Sequence, residues 1–229
     1  MKRILCILFF LFYASNLFAE FHQPLVTKSI QNKMTPDDAL NRLIKGNIRF
    51  TDNKRTEIDF LNHAKQASGP QHPIAIVLSC IDSRVPPEVI FDQHAGNIFV
   101  TRVAANVINR DVLAGMEYAT QVAGAKLIVV LGHDACGAVK GACDNVKLGN
   151  LSQLLDKIQP AILDAKKTMG KKECDNPQFI NLAAEDNVRH VVALIPKESP
   201  VLQKLIASGK IKVVGGMYHL DTGKVTFLR

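Results

Sequence analysis

The sequence contains no tryptophan in 229 residues, and aromatic residues make up only 6% of it. Low-complexity tracts and internal repeats are also absent. The 28 basic and 21 acidic residues leave a formal charge of +7, and this excess is scattered along the chain. Its densest cluster, Lys166-Lys167 with Lys171-Lys172, reads as the solvated end of a helix. Without a basic stripe interleaved with aromatics, nucleic acid is not an expected partner. No serine stands in a Gly-x-Ser-x-Gly elbow. The glycine-rich stretch from Gly132 to Gly141 lacks the Gly-Lys-Ser/Thr ending of a phosphate loop, which argues against nucleotide binding.

Apolar residues are plentiful, at 47%, but the apolar run from Ile4 to Tyr13 is too short to span a bilayer comfortably. Lys2-Arg3 before it and Asn16-Leu17-Phe18-Ala19 after it complete the pattern of a secretory signal peptide over residues 1–19, cleaved near Ala19. Cys6 lies too early in that run to carry a lipid. The expected mature protein is periplasmic or secreted, with no membrane attachment after cleavage. Its length, residues 20–229, suits a single α/β domain.

Secondary-structure signals alternate. Residues 20–33 are polar and mixed, and read as an extended arm. Thr35-Pro36-Asp37-Asp38 starts a helix to about Phe50, and a weaker helix covers Phe60 to Gln66, giving a helical arm over about 35–66. Strands are expected at 74–79, 97–101, 127–131 and 210–218, with an antiparallel edge strand at 225–228. Long helices are expected at 109–123, 151–168 and 177–194, and a short one from Pro200. Strands alternating with helices argue for a central parallel sheet covered on both faces.

Two of these strands end in chemistry. Ile74 to Leu78 runs into Cys80-Ile81-Asp82-Ser83-Arg84, and Leu127 to Leu131 runs into His133-Asp134-Ala135-Cys136. Neighbouring parallel strands present their carboxyl ends at one rim, where ligands bind. Taken singly, Cys80 and Cys136 read as small buried hydrophobes and His133 as a core histidine. Taken together they make a soft tetrahedral Zn2+ site with three protein ligands and an open fourth position, the mark of a catalytic metal. A neutral imidazole and two thiolates cancel the charge of the ion, so the metal alone acidifies water less than a three-histidine site would. Asp82 is placed to accept a hydrogen bond from the attacking water, and Arg84 to keep Asp82 ionised and aimed. Cys143 and Cys174 are left over. They read as two free thiols, with a disulfide between them as the alternative for an exported chain.

From about Thr35 to the C-terminus, Cys80-x-Asp82-Ser83-Arg84 followed by His133-x-x-Cys136 resembles the β-class carbonic anhydrases. The resemblance implies a four-stranded parallel core with one Zn2+ per subunit. It also implies homodimers or homotetramers, with the N-terminal helices wrapped around a partner. The implied reaction is reversible hydration of carbon dioxide to bicarbonate and a proton. Asp82 and Arg84 then act as the catalytic dyad, and Asp82 can become a fourth metal ligand in a closed state. Gln71 corresponds to a glutamine that donates to a substrate oxygen. Phe99 and Tyr118 correspond to residues lining an apolar pocket for carbon dioxide, partly from the neighbouring subunit. Gly137 presents a backbone N–H with no side chain in the way. A regulatory bicarbonate site known in one bacterial branch would need a tryptophan where this chain has Val77, although Arg102 and Tyr218 match its other two groups. His94 and His219 are candidates for proton transfer to buffer, but read as structural or surface histidines. The same motifs leave open a carbonyl sulfide or carbon disulfide hydrolase, or a noncatalytic zinc-binding protein.

Overall fold

Ile74 to Leu78 offers no polar side chain to water, so this segment is stable only with both faces covered. In the structure, a computed structural model describing residues 25–57 and 59–228, that requirement is met. Strand β1 (Ala75–Ser79) is buried along its whole length, as is β3 (Leu127–His133). With β2 (Ile98–Arg102), β4 (Lys212–Tyr218) and β5 (Val225–Phe227) they form one sheet in the order β2-β1-β3-β4-β5. The first four strands are mutually parallel, and β5 pairs antiparallel with β4. The central parallel sheet with an antiparallel edge strand is as expected from the alternation.

Alternate side chains of the strands feed two cores. Ala75, Val77, Leu127 and Val129 face the N-terminal layer, where α2 (Pro36–Thr51) and the short α4 (Pro87–Ile90) contribute Leu43, Ile90 and Phe91. Full burial of side chains of this size contributes roughly 1.5–3 kcal/mol each. Ile76, Leu78, Ile128 and Val130 face the larger core. Helices α5 (Arg110–Glu117), α6 (Gly137–Cys143), α8 (Gln159–Met169), α9 (Pro177–Glu198) and α10 (Pro200–Ala207) cover it. Glycines set how closely α9 can approach: a Cβ at Gly132 of β3, or at Gly215 of β4, would stand 2.6 Å from a methyl of Val188.

Thr35 caps α2 as expected, in a reciprocal hydrogen-bond pair with Asp38, and α3 spans Phe60–Gln66. Three readings need correction. The described part of the N-terminal arm is not extended: Thr27 caps a short helix, α1 (Lys28–Lys33). Its buried Gln31 donates to the carbonyls of Pro73 and Ala123, both at 2.7 Å, and this ties the arm down. The helix expected over 151–168 is two, α7 (Gly149–Asp156) and α8, because Pro160 has no N–H to continue a helix but suits a first turn. Cys143 and Cys174 are joined in a disulfide. The chain brings the buried end of α6 beside the segment before α9, leaving their Cα atoms 5.6 Å apart. In addition, the helix expected to Ala123 widens at Tyr118–Val122 into a π-helical turn. The signal-peptide reading of residues 1–19 lies outside the described residues. Among the described residues, no helix is long and apolar enough to cross a membrane.

Candidate metal centre and active site

Strand β1 ends one residue before Cys80, and β3 ends on His133. The two strands are paired neighbours, so both ends open on one rim. Ala135, at φ 50°, reverses the chain between His133 and Cys136, and its N–H is held by Asn181 Oδ1 at 2.9 Å. Cys80, His133 and Cys136 thereby offer three ligand atoms within 4.8 Å of one another, all in buried residues. Both cysteines are free thiols.

The donor set fits a zinc ion. His133 Nδ1 donates to the carbonyl of Asp134 at 2.8 Å, which fixes the tautomer and leaves Nε2 with its lone pair. That Nε2 is buried and has no hydrogen-bond partner. A buried acceptor facing two sulfurs is a group lacking its ligand. The two sulfurs lie within 4.8 Å of one another, so the first to ionise is favoured by the thiol of the other. The Cys136 thiol, with help from His133, holds Cys80 well below the usual thiol range, to about 4. Cys136 is correspondingly pushed up, first by that same interaction with Cys80 and then by burial. Burial is the strongest single influence on His133 and opposes its charge, but the Cys80 sulfur, the Asp134 carbonyl and the Asp82 carboxylate together raise the imidazole. These groups favour a cation in their midst, and a divalent metal would take the place of the shared protons.

Beside the three ligands stands the expected dyad. Arg84 donates through Nε to Asp82 Oδ1 at 2.9 Å and through a terminal nitrogen to Oδ2 at 2.7 Å. The Arg84 backbone N–H adds a third bond to Oδ1 at 3.0 Å. This clamp holds the Asp82 carboxyl far below the usual carboxylate range, the Arg84 side chain being the main cause and burial the opposing one. The carboxylate is 16% exposed and the guanidinium 54%, so the acid points into the rim while its partner faces solvent. Asp82 Oδ2 lies 3.9 Å from His133 Nε2, adjacent to the candidate metal ligands.

Three further residues position this rim, and the sequence points to none of them in that role: Asn181 and Asn187 draw no notice, and Arg102 is matched only to a regulatory site. Arg102, at the end of β2, donates through Nε to the Cys80 carbonyl at 2.9 Å and reaches the Asp82 carbonyl at 2.5 Å. Asn181 and Asn187 reach over from α9, the latter bonding the Ala105 carbonyl at 2.8 Å. Their pairing is long-range, with sequence separations of 46 and 82, so no local pattern marks it.

The expected substrate-binding residues divide. Gly137 follows Cys136 directly, and a Cβ there would meet nothing within 4 Å, so the approach beside the cluster is open. Gln71 and Tyr118 share a cleft with Ala67, Gly96 and Val122, and none of Cys80, His133 and Cys136 lines it. Gln71 precedes β1 and Cys80 follows it, with a five-residue strand of roughly 17 Å between them. Phe99, near the start of β2, has its ring 6.1 Å from that of Tyr118. Within one chain these three lie away from the cluster. His94 is buried, stacks edge-on against His63 at 4.7 Å and precedes β2, remote from the rim. His219 is at the rim, but its two nitrogens bond Asp134 at 2.9 Å and Thr226 at 3.0 Å.

Comparison with known proteins agrees with this geometry. The carbonic anhydrase family model matches residues 75–225. The chain is 34% identical over 195 residues to carbonic anhydrase 2 of Mycobacterium tuberculosis, covering 82% of this chain and 91% of that protein. To the carbonic anhydrase of Mycolicibacterium smegmatis it is 38% identical over 160 residues, covering 68% and 74%. Among solved structures, the β-carbonic anhydrase CcaA superposes with a TM-score of 0.68 at 27% identity, over 83% of this chain and 95% of that one. A β-carbonic anhydrase of Sordaria macrospora, described as tetrameric, gives 0.66 at 25% identity, over 72% and 85%. With its two rim motifs brought together and most of its length matched, the chain belongs to the β-class carbonic anhydrases.

Proposed function

We propose that this enzyme interconverts carbon dioxide and bicarbonate using one zinc ion held by Cys80, His133 and Cys136. The observation that carries the reading is the buried, unpartnered Nε2 of His133 facing two free cysteine sulfurs beside the Arg84-clamped Asp82. Zinc, when bound there, supplies the Lewis acid that makes water nucleophilic near neutral pH.

The residues do the rest. Asp82, kept ionised by Arg84, accepts a hydrogen bond from the attacking water and turns its free lone pair toward the carbon of carbon dioxide. Arg84 holds both carboxylate oxygens, so Asp82 stays aimed rather than swinging toward the ligands. Water adds to carbon dioxide, bicarbonate departs, and one proton passes to buffer. Gly137 leaves room for the departing anion and offers its N–H to it.

Gln71, Phe99 and Tyr118 belong in this scheme only as groups lent to a second subunit. Tyr118 is 53% exposed and Val122 70%, with Phe60 and Leu61 also uncovered, an apolar surface suited to a second copy of the chain. We place the functional unit at a homodimer, or a tetramer made of two, in which each cleft bearing Gln71 and Tyr118 completes the partner's centre. The reading of residues 1–19 as a secretory signal, supported by the Cys143–Cys174 disulfide, makes the enzyme an exported one, periplasmic or secreted.

Stopped-flow carbon dioxide hydration on the purified mature form, with zinc quantified, tests the proposal at about pH 7 and again near pH 9. Rapid turnover at both with one zinc per chain is the expected result. Activity confined to the higher pH would indicate Asp82 joining the metal ligands at neutrality. Full zinc loading without turnover at either pH would overturn the reading in favour of a sulfur-containing substrate or a storage role.

A further inference from the structure

Cys80 is held from two directions. Arg102 fixes its carbonyl, and on the other side its sulfur receives the N–H of Ala105 at 3.3 Å. That N–H points at the sulfur only because the turn Ala104–Asn106 is unusual. Ala105 has φ 52° and ψ 25°, and Asn106 follows at φ 46°. Two successive L-residues in the left-handed region are unfavourable in isolation and persist only where the surroundings enforce them. Both are buried, at 1% and 2% exposure, so water does not help to hold them.

The enforcing contact comes from α9. Asn187, itself 3% exposed, donates its Nδ2 to the Ala105 carbonyl at 2.8 Å. The adjacent Val188 is seated in the gap left by Gly132 and Gly215, so α9 has no slack at this point. One residue thus links the two: Asn187 of α9 grips the carbonyl of Ala105, and the N–H of Ala105 is delivered to a metal-ligating sulfur.

We propose that Asn187 is a positioning residue for the metal centre, holding Ala105 in its left-handed turn so that the Ala105 N–H stays aimed at Cys80 Sγ. An N–H donated to a thiolate disperses charge on the sulfur and fixes the direction of its remaining lone pairs, which governs how firmly a metal is kept. The inference rests on the reading of Cys80, His133 and Cys136 as the zinc site, and it extends control of that site to a side chain 107 positions further along the sequence, on a different layer of the fold.

The test is a double-variant cycle on the zinc-loaded protein with Asn187→Ala, Ala105→Gly and the two combined. The rate at which a chromophoric chelator captures zinc is followed for each, together with the thiolate-to-metal charge-transfer band after cobalt substitution and the melting temperature. Asn187→Ala should release zinc about tenfold faster or more, the range for loss of an outer partner of a metal ligand, and shift the cobalt band. Glycine adopts a positive φ without steric cost, so in the Ala105→Gly background the same substitution should change zinc release much less. Unchanged zinc release and an unmoved cobalt band in Asn187→Ala would overturn the proposal. So would an equal effect of Asn187→Ala in both backgrounds, which would make Asn187 a general packing residue. Should Asn187→Ala prove insoluble, the double variant decides: soluble and zinc-retentive supports the proposal, insoluble overturns it. A parent protein that holds no zinc would instead overturn the zinc reading beneath it.

Discussion

The guanidinium of Arg102 donates to the carbonyl of Cys80 at 2.9 Å, bracing the loop that carries the first cysteine of the candidate metal cluster against the end of the edge strand β2. The same side chain reaches the carbonyl of Asp82. One planar, forked donor therefore sets the spacing between Cys80 and Asp82. It also commits Arg102 to the backbone, which leaves it less able to take part in a regulatory bicarbonate site, a role already lacking its tryptophan at Val77.

Replacing Arg102 with methionine should keep most of the apolar stem and lose both bonds. The expected outcome is retained zinc with kcat/KM reduced by about 10–100-fold, the usual cost of removing an outer support of a metal site. Zinc analysis alongside stopped-flow kinetics checks this. A variant that loses zinc and activity in proportion would mean that Arg102 supports the fold of the rim rather than the aim of Asp82.

Asp82→Asn separates binding from chemistry. Asparagine fills the same space and can still meet Arg84, but it presents no carboxylate to the attacking water. Activity should fall by on the order of 100-fold or more, the range for loss of a positioned acid–base group. Zinc content should remain at one per chain, because the ligand set Cys80, His133 and Cys136 is untouched. Near-normal turnover in this variant would remove Asp82 from the mechanism.

The disulfide makes a stability prediction. It closes a segment of 31 residues between α6 and the approach to α9, and chain-entropy reasoning assigns such a loop about 3–4 kcal/mol. The double variant Cys143→Ser/Cys174→Ser should melt roughly 6–16 °C below the parent, given about 2–4 °C per kcal/mol for a domain of this size. Thiol titration of the denatured mature protein offers an independent check: two reactive cysteines before reduction and four after, once zinc is chelated. Four before reduction would mean that the bridge does not form.

The parts of the molecule legible in the sequence are those set by short-range pattern. Apolar runs such as Leu127 to Leu131 announce buried strands, and motifs at their ends announce the rim, because strand direction fixes which end carries the ligands. What the pattern could not reach depends on distance along the chain. Whether Cys143 meets Cys174 turns on how α6 and α9 pack, and neighbouring residues do not encode that. The short helix over Lys28–Lys33 is held by Gln31 bonding to Pro73 and Ala123, again a long-range matter. Arg102, Asn181 and Asn187 act on backbone groups far away in sequence. Asn181 and Asn187 look ordinary, and Arg102 suggests a different role, until the fold brings a carbonyl or an N–H within reach. Conversely, Gln71 and Tyr118 stand out in the sequence only through the family resemblance, which implies a pocket shared between subunits for Tyr118 but says nothing of whose site Gln71 serves.

That last question has a decisive measurement. Gln71 and the metal ligands sit at opposite ends of β1, so a centre that uses both must draw them from two chains. Take one chain carrying Gln71→Ala and another carrying Cys136→Ser. Each homodimer should be impaired, the first by loss of the substrate contact and the second by loss of the metal. In a mixed dimer, the intact metal centre of the first chain receives the intact Gln71 of the second, while the other site carries both lesions. Random exchange makes half the dimers mixed, and each has one working site of two, so activity should recover to on the order of a quarter of the parent's. Differential tags allow the mixed dimer to be isolated and its single working site measured directly. Absence of recovery in purified mixed dimers would show that Gln71 does not act across the interface, and the proposed composite site would have to be abandoned.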